Sequence, residues 1–163
     1  MKRYQTFHEV LIPLLVEGIG AESYLELGTH MNETIGKVRC QKRYGVDVMP
    51  VPCPGAQMYQ MTTQEFIREH APLLAPFDCV FVDACHSATA VMDDISGIWP
   101  YVAPEGLVLA HDVNPETVAD TDPGFCGDAW RTARALLELH EGVVLPYHPG
   151  VLILRKRETW GPR

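Results

Sequence analysis

Acidic and histidine side chains that can take part in catalysis follow two apolar runs of this sequence. Asp83 ends one run and His86 stands three residues later, whereas His111 and Asp112 directly follow another. Hard divalent cations prefer oxygen ligands and keep several of their waters, so Asp83 and Asp112 are sufficient anchors for a magnesium ion. An imidazole titrates near neutrality, which makes His86 the first candidate for a general base. His111 is a second candidate base and a candidate partner of the metal.

A second set of residues predicts a cradle for a small molecule. The predicted strand Ser23–Leu27 carries Glu26 and runs into Gly28, and glycine suits a tight turn because it adopts positive φ at no steric cost. A dinucleotide would need further glycines to admit its pyrophosphate, and Gly28 stands alone. Glu26 would repel a phosphate but attract the ammonium and sulfonium groups of S-adenosylmethionine. Asp47, after the next strand, can accept hydrogen bonds from ribose hydroxyls.

Alternating strands and helices are predicted to position these residues. The predicted strands are 23–27, 43–48, 57–61, 77–83, 106–110, 143–147 and 151–155. The predicted helices are 4–17, 32–41, 63–74, 87–101 and 129–139, and the first presents Phe7, Val10, Leu11, Leu14 and Leu15 on one face. This order predicts an α/β fold: a Rossmann-like, doubly wound, mostly parallel seven-stranded sheet with helices on both faces and an antiparallel C-terminal hairpin. Ligands in such sheets bind beyond the carboxyl ends of the strands.

Composition limits the classes of function. The 163 residues, 47% of them hydrophobic and 21% charged, predict a single domain over residues 1–163: an N-terminal helix (1–20), a cofactor and metal core (23–114), and a loop, helix and closing hairpin (115–163). A formal charge of −8 argues against a nucleic-acid partner. No apolar run reaches the length of a membrane span. Five scattered cysteines without a C-x-x-C pair favour a reducing, cytoplasmic location.

Four segments of the chain, YLELGTHMNET, YGVDVMP, FDCVFVDACHSATAVMDDI and GLVLAHDV, resemble class I S-adenosylmethionine-dependent methyltransferases. Their order and spacing across residues 23–114 are similar to the small-molecule O-methyltransferases grouped with macrocin O-methyltransferase and cephalosporin hydroxylase-like proteins. The resemblance implies methylation of a small hydroxylated substrate, such as a sugar, a catechol or a natural-product intermediate. It also implies S-adenosyl-L-methionine and a divalent metal, magnesium, as cofactors.

The resemblance also implies roles for individual residues. The implied cofactor-binding residues are Glu26, Gly28, Thr29, Asp47, Thr62, Thr63 and Asp83. The first three would hold the methionine part, Asp47 the ribose, and the two threonines would lie near the adenine. Asp83 and His86 would face the reaction centre, with Asp112 across from Asp83. The catalytic candidates are thus His86, Asp83 and His111, and the metal candidates Asp83, Asp112 and His111.

Structural roles are the alternatives to these assignments. Asp83 could cap the following helix, with His86 closing that cap, and His111 could point away from the site because neighbours on a strand face opposite sides. Three carboxylates of the loop 114–128 could cover the site or be solvated, and solvation is the preferred interpretation; they are Asp120, Asp122 and Asp128.

Rival functions also stay open. One is a non-catalytic or partner-dependent cofactor-binding protein, because Ala84 and Cys85 stand where the family usually has Gly-Asp and little of the chain extends beyond the core; self-association is one way to close the site. Another is an NAD-type oxidoreductase, which the lone Gly28 disfavours. A third is a metal-dependent hydrolase that uses Asp83, His86 and Asp112.

Overall fold

Seven strands form a mixed sheet in the computed structural model, which describes residues 6–157. The strands are β1 (Ser23–Leu27), β2 (Lys42–Asp47), β3 (Gln57–Gln60), β4 (Phe77–Val82), β5 (Val102–His111), β6 (Glu141–Leu145) and β7 (Val151–Arg155). They lie in the order β3-β2-β1-β4-β5-β7-β6, and β1 to β5 run parallel whereas β7 is antiparallel to both of its neighbours. The predicted fold class, with its closing hairpin, is confirmed.

Helices cover both faces of this sheet. They are α1 (Phe7–Gly18), α2 (Thr63–Glu69), α3 (Ala71–Leu74), α4 (Ala88–Ile98) and α5 (Trp130–Leu139), with 3-10 turns at Trp99–Tyr101 and Val118–Thr121. One core layer contains the fully buried Phe66, Ile95 and Leu136 of α2, α4 and α5. The other contains Ile12 and Val16 of α1. Because both faces are covered, β1 and β4 are buried almost throughout, as the near-continuous apolar sequence of β4 predicts. In β1 the polar residues Ser23 and Glu26 are buried as well.

The predicted helix Asn32–Gln41 is wrong, because this segment consists of turns. His30 and Asn32 have φ of 43° and 62°, in the left-handed region that a right-handed helix excludes. Two side-chain bonds then hold the segment in place: Asn32 Nδ2 donates to the carbonyl oxygen of Val51 at 2.9 Å, and Arg43 Nη1 donates to that of Ile35 at 2.9 Å. Two backbone bonds with helical spacing, from Gly36 to Asn32 and from Val38 to Thr34, remain within these turns but do not extend into a continuous helix.

The buried face of α1 also differs from the prediction. Phe7, Val10 and Leu14 are exposed to 36%, 43% and 61%, whereas Ile12 and Val16 are fully buried. Both sets of residues have helical spacing, but it is the set with Ile12 and Val16 that packs against the sheet. Residues 4 and 5 of the predicted helix lie outside the described residues.

Prolines account for two further differences in helix boundaries. The predicted helix 63–74 is divided into α2 and α3, and Pro72 in the first turn of α3 cannot donate to a continuing ladder. The predicted helix 87–101 leaves the α-helical form after Ile98, and Pro100 lies in the 3-10 turn that follows. β5 also begins earlier than predicted, at Val102, and β6 begins at Glu141. None of the helices within residues 6–157 is long and apolar enough to cross a lipid bilayer.

Candidate functional site

The carboxyl ends of β1, β2, β4 and β5 border a cleft of about 1020 Å³. Strand register explains why polar residues meet there. Leu27, the last residue of β1, pairs with Val46 of β2 and with Val82 of β4. The next residue, Gly28, therefore lies between Asp47, the last residue of β2, and Asp83, which follows β4. The register of β4 with β5 continues this row and brings His111 beside Asp83.

All ten residues predicted for the cofactor, the reaction and the metal line this one cleft. They are Glu26, Gly28, Thr29, Asp47, Thr62, Thr63, Asp83, His86, His111 and Asp112. These residues are spread along the sequence from β1 to the end of β5. The edge of the sheet, rather than a local motif, therefore assembles the site. Their individual roles stay predictions.

Gly28 occupies a position that admits no side chain. Its φ is 89°, and an added Cβ would lie 2.4 Å from both the Cα of Ala84 and the carbonyl oxygen of Asp83. The turn after β1 therefore packs directly on the end of β4. This contact joins the predicted cofactor turn to the predicted reaction centre through the backbone.

Asp47 fixes two loops of the cleft through its carboxylate. Oδ2 accepts the backbone N–H groups of Thr29 and His30 at 3.0 and 2.9 Å, and Oδ1 accepts that of Met49 at 2.9 Å. A turn cap is the structural alternative to a ribose contact that the sequence offers for Asp47, and these bonds give the carboxylate that capping role. A carboxylate offers about four lone-pair sites, so these three bonds leave capacity for a ligand hydroxyl.

Glu26 is a buried carboxyl group, 2% exposed, whose Oε2 accepts the hydroxyl of Tyr24 at 2.5 Å. Burial raises the pKa of Glu26 well above its usual range, although the hydrogen bond from Tyr24 opposes the shift. A cation beside this group would favour its charged form. The hydroxyl of Thr29 is buried in the same cleft without a hydrogen-bond partner among the described residues. These two groups fit a ligand that carries an ammonium and further polar atoms.

Thr62 and Thr63 line the cleft, but their hydroxyl groups are engaged in structural bonds. Thr62 forms a capping box with Glu65 at the start of α2. Thr63 Oγ1 donates to Oδ1 of the buried Asp94 at 2.6 Å. A contact between these two threonines and an adenine would therefore use backbone or methyl groups.

Two carboxylates and two imidazoles form the centre of the cleft. His86 Nε2 lies 3.2 Å from Asp112 Oδ2 and 3.9 Å from Asp83 Oδ1. His111 Nδ1 lies 3.3 Å from Asp83 Oδ1 and 3.4 Å from Asp112 Oδ1. Ligand atoms of Asp83, His86 and Asp112 all lie within 4.8 Å of one another, which is close enough to hold one metal ion. The metal candidates from sequence included His111 in place of His86.

An unusual backbone angle lets His111 and Asp112 face the same site. Consecutive residues of a strand point to opposite faces, but Asp112 has a φ of 61° and leaves the strand conformation. Its carboxylate turns back toward His111 and Asp83. The alternative in which His111 points away is therefore wrong. Aspartate is among the few residues that tolerate this left-handed conformation.

The charges of this centre are mutually dependent. Burial would lower the pKa of His111, but hydrogen bonds to Asp112 and Asp83 outweigh it and raise the pKa to about 10. Burial raises the pKa of Asp112, but the His111 contact and the nearby His86 bring it below its usual value. The two carboxylates thus stabilise positive charge between them, as the donor set of a divalent cation requires.

The loop before α5 closes over one side of the centre. The backbone N–H groups of Asp128 and Ala129 both donate to the carbonyl oxygen of His86 at 3.0 Å. Asp128 Oδ1 accepts the backbone N–H of Ala88 at 2.6 Å, so Asp128, not Asp83, caps the start of α4 together with Ser87. The preference for a solvated loop is therefore wrong for Asp128.

The same loop supplies three lining residues of the cleft, Asp120, Phe125 and Cys126. The thiol of Cys126 hydrogen-bonds to Asp112. Asp120 thus also borders the site, contrary to the preferred interpretation, whereas Asp122 accepts the N–H of Gly124 within the loop.

Sequence reasoning also missed His8 of α1. Its ring packs edge-on against that of His111, with centroids 4.1 Å apart, and lies near Phe81. Burial and the charge of His111 lower the pKa of His8 to about 4. No local signal predicted this contact, because it depends on how α1 docks on the sheet.

Comparisons with known proteins agree with this architecture. Residues 41–113 match a family model described as a methyltransferase domain. No curated protein sequence matches the chain significantly. The match lies over β2 to β5, which carry most of the polar residues of the cleft.

Three solved structures illustrate the likeness in fold. The MycE methyltransferase of the mycinamycin biosynthetic pathway, in complex with Mg, SAH and mycinamycin VI, aligns with a TM-score of 0.64 and 20% identity over 86% of this chain and 47% of that chain. The O-methyltransferase TomG from Streptomyces achromogenes, in complex with SAM, gives 0.69 and 17% over 94% and 82%. Cofactor-bound Rv0187 from MTB gives 0.69 and 16% over 96% and 83%. The chain thus spans about half the length of MycE, and the predicted resemblance is confirmed in the fold.

Proposed function

We propose that this chain, which has the fold of the class I S-adenosylmethionine-dependent methyltransferases and a matched methyltransferase domain, methylates a hydroxyl group of a small molecule. One observation carries the proposal: Asp83, His86 and Asp112 converge in the cleft that also contains the turn at Gly28 and the Asp47 carboxylate. A nucleoside site and a charged reaction centre are thus joined in one cavity.

S-adenosyl-L-methionine is the proposed methyl donor. The buried carboxyl of Glu26 would pair with its ammonium, and the unpartnered Thr29 hydroxyl would bind a polar atom of the methionine part. Asp47 would accept a ribose hydroxyl while it continues to hold the backbone of the Gly28 turn. Complexes of the similar proteins MycE and TomG contain SAH and SAM respectively, which supports this donor.

Asp83 and Asp112 are the proposed anchors of a divalent cation, with magnesium as the expected ion. Their Oδ1 atoms approach the same nitrogen of His111, so both carboxylates face one small volume. MycE contains Mg in its complexes, which supports a metal in this fold. When bound, magnesium and S-adenosylmethionine would supply, respectively, a lowered hydroxyl pKa and the methyl group.

His86 acts as the proposed base for the acceptor hydroxyl. Nε2 of His86 accepts the proton, and Asp112 Oδ2, 3.2 Å away, stabilises the imidazolium that results. The bonds from Asp128 and Ala129 to the His86 backbone hold the ring over the centre. His111 keeps the two carboxylates oriented toward each other.

Labelled methyl transfer tests this function. Purified protein is incubated with methyl-labelled S-adenosylmethionine and a panel of hydroxylated acceptors, with magnesium or with a chelator. The expected result is label transferred to an acceptor only when magnesium is present, with Asp83→Asn inactive. Transfer that is unaffected by the chelator and by Asp83→Asn would reject the metal site.

A partner-dependent cofactor-binding protein is the second candidate. The exposed lining of the cleft favours it, since the Phe125 side chain in that lining is 66% exposed. Binding of S-adenosylhomocysteine without turnover on any acceptor would support this candidate.

Self-association, the single-domain organisation and a cytoplasmic location stay predictions.

A further inference from the structure

The reaction centre contains nitrogen and sulfur atoms beside the two carboxylates proposed for magnesium. His86 Nε2 lies 3.2 Å from Asp112 Oδ2 and 3.9 Å from Asp83 Oδ1. The thiol of Cys126 hydrogen-bonds to Asp112. Magnesium takes oxygen ligands and keeps several of its waters, so the imidazole and the thiol add little to its binding. Zinc, in contrast, binds imidazole, thiolate and carboxylate groups.

Backbone contacts hold Cys126 beside His86. The N–H of Ala129 donates to the carbonyl oxygens of both residues, at 3.0 Å to His86 and 3.4 Å to Cys126. The residue after Cys126, Gly127, lies so close that an added Cβ would collide with the carbonyl oxygen of His86. Both side chains line the cleft. Since Cys126 is only 2% exposed, its thiol is held in the wall of the site rather than at the surface.

The separations between these ligand atoms suit a four-coordinate ion. Ligands that bind a tetrahedral zinc ion at about 2.1 Å lie about 3.4 Å from one another. Neighbouring ligands of an octahedral magnesium ion at about 2.1 Å lie about 3.0 Å apart. The distances of 3.2 and 3.9 Å from His86 Nε2 to the two carboxylates lie on either side of the tetrahedral value, and both exceed the octahedral value.

His111 does not decide between the two metals. Burial lowers the pKa of His111, but its contacts at 3.3 Å with Asp83 and 3.4 Å with Asp112 raise that pKa to about 10. A dication held by the two carboxylates replaces the positive charge of this imidazole. The free energy of removing that proton therefore opposes magnesium and zinc alike, and the difference between the metals comes from His86 and Cys126.

We propose that this centre also binds zinc, more tightly than magnesium, through Asp83, His86, Asp112 and Cys126, and that bound zinc inhibits methyl transfer. The thiol of Cys126 releases its proton to solvent when it binds the metal. Nε2 of His86 is then a metal ligand and cannot accept the proton of an acceptor hydroxyl. The zinc site is inferred from the geometry alone, whereas the inhibition rests on the proposed function.

Cobalt, a spectroscopic substitute for zinc, tests the site without an assay of activity. Co²⁺ is titrated into the purified full chain, and absorption is recorded in the visible and near-ultraviolet regions. We expect the intense visible bands of four-coordinate cobalt together with a thiolate-to-cobalt charge-transfer band. An equimolar amount of zinc should displace the cobalt, whereas an excess of magnesium of about a hundredfold should not.

Three variants identify the ligands. Cys126→Ser should remove the charge-transfer band and weaken zinc binding about tenfold or more. The matched control Cys85→Ser removes the exposed thiol of the same cleft and should change neither quantity. His86→Gln should weaken zinc binding about tenfold or more but leave the affinity for magnesium unchanged. This last variant tests the site even if serine at position 126 disturbs the packing.

Three results would overturn the zinc site. One is displacement of cobalt by magnesium at a comparable concentration. Another is loss of the charge-transfer band in Cys85→Ser rather than in Cys126→Ser, which would assign the thiolate to the exposed cysteine. The third is an unchanged affinity for zinc in His86→Gln.

Methyl transfer in magnesium, measured as zinc is added, tests the inhibition separately. Activity should fall about a hundredfold or more at saturating zinc, because the proposed base is lost. Full activity with zinc bound would overturn the inhibition. Absence of transfer in magnesium alone would instead reject the proposed function, and the cobalt titration would still decide whether the zinc site exists.

Discussion

His86 Nε2 lies 3.2 Å from Asp112 Oδ2, although the two residues follow different strands of the sheet. The contact depends on the parallel pairing of β4 with β5 and on the φ of 61° at Asp112, which turns its carboxylate back over the strand end. The fold itself therefore holds the proposed base, His86, beside the Asp112 carboxylate.

Removal of either proposed metal-binding carboxylate, Asp83 or Asp112, is expected to abolish the magnesium-dependent activity but to leave nucleoside binding intact. Asp83→Asn and Asp112→Asn should each lower magnesium-dependent methyl transfer by about two orders of magnitude or more. The affinity for S-adenosylhomocysteine should change little. Asparagine also tolerates the left-handed backbone at position 112, so folding should be preserved. Asp93→Asn is the control, and a parallel loss of cofactor affinity in both metal-site variants would show that the two sites are not separate.

Substitution of the two histidines should distinguish a base from a metal partner. If His86 is the base, His86→Gln lowers the turnover number strongly and leaves the magnesium concentration for half-maximal activity unchanged. His111→Gln should instead raise that concentration, because His111 contacts both carboxylates. Turnover measured across a magnesium titration separates the two effects. The reverse pattern would exchange the roles assigned to His86 and His111.

Asp47→Ala and Asp78→Ala are a matched pair of variants that tests the role of Asp47 in the turn after β1. Each carboxylate accepts three hydrogen bonds. Those of Asp78 come from Glu22 and Ser23 at the start of β1. Those of Asp47 come from Thr29 and His30 after the end of β1 and from Met49. Either change to Ala should lower the unfolding free energy by about 1–3 kcal/mol. Only Asp47→Ala should also weaken S-adenosylhomocysteine about tenfold or more.

Calorimetry and thermal unfolding of the two variants check this prediction together. The unfolding measurement shows whether the losses of stability are comparable, so that any difference in affinity is due to location. An equal loss of affinity in Asp78→Ala would mean that general destabilisation, rather than the Asp47 carboxylate, controls binding.

Gly28 should tolerate no larger residue. Gly28→Ala places a Cβ at φ 89° and 2.4 Å from the backbone of β4, so a loss of about 1–3 kcal/mol or more of stability is expected, with loss of cofactor binding. Gly18→Ala is the control, since no atom lies within 4 Å of a Cβ added there. Chemical denaturation compares the two. A neutral Gly28→Ala would contradict the close packing of the turn on β4.

The sheet and its polar edge were predictable because the signals were local and periodic. Continuous apolar runs identify β4 and the end of β5 as buried strands, and the carboxyl ends of parallel strands share one edge. That rule alone brings Glu26, Asp47, Asp83 and His111 together. It needs no knowledge of the loops between the strands.

Features that depend on tertiary contacts were not predictable. The left-handed angle at Asn32 is incompatible with the start of the predicted helix, and that at Asp112 redirects a side chain, although neither residue type requires that angle. His8 reaches His111 only because α1 docks through Ile12 rather than through its more apolar stripe. Each of these outcomes was decided by packing between segments distant in sequence.

Titration of S-adenosylhomocysteine into the purified chain tests the central claim most directly. Saturable binding with a dissociation constant well below millimolar is expected for the wild type, for Asp83→Asn and for Asp112→Asn, whereas NAD should not bind. Absence of S-adenosylhomocysteine binding at millimolar ligand, or binding of NAD in its place, would contradict the account.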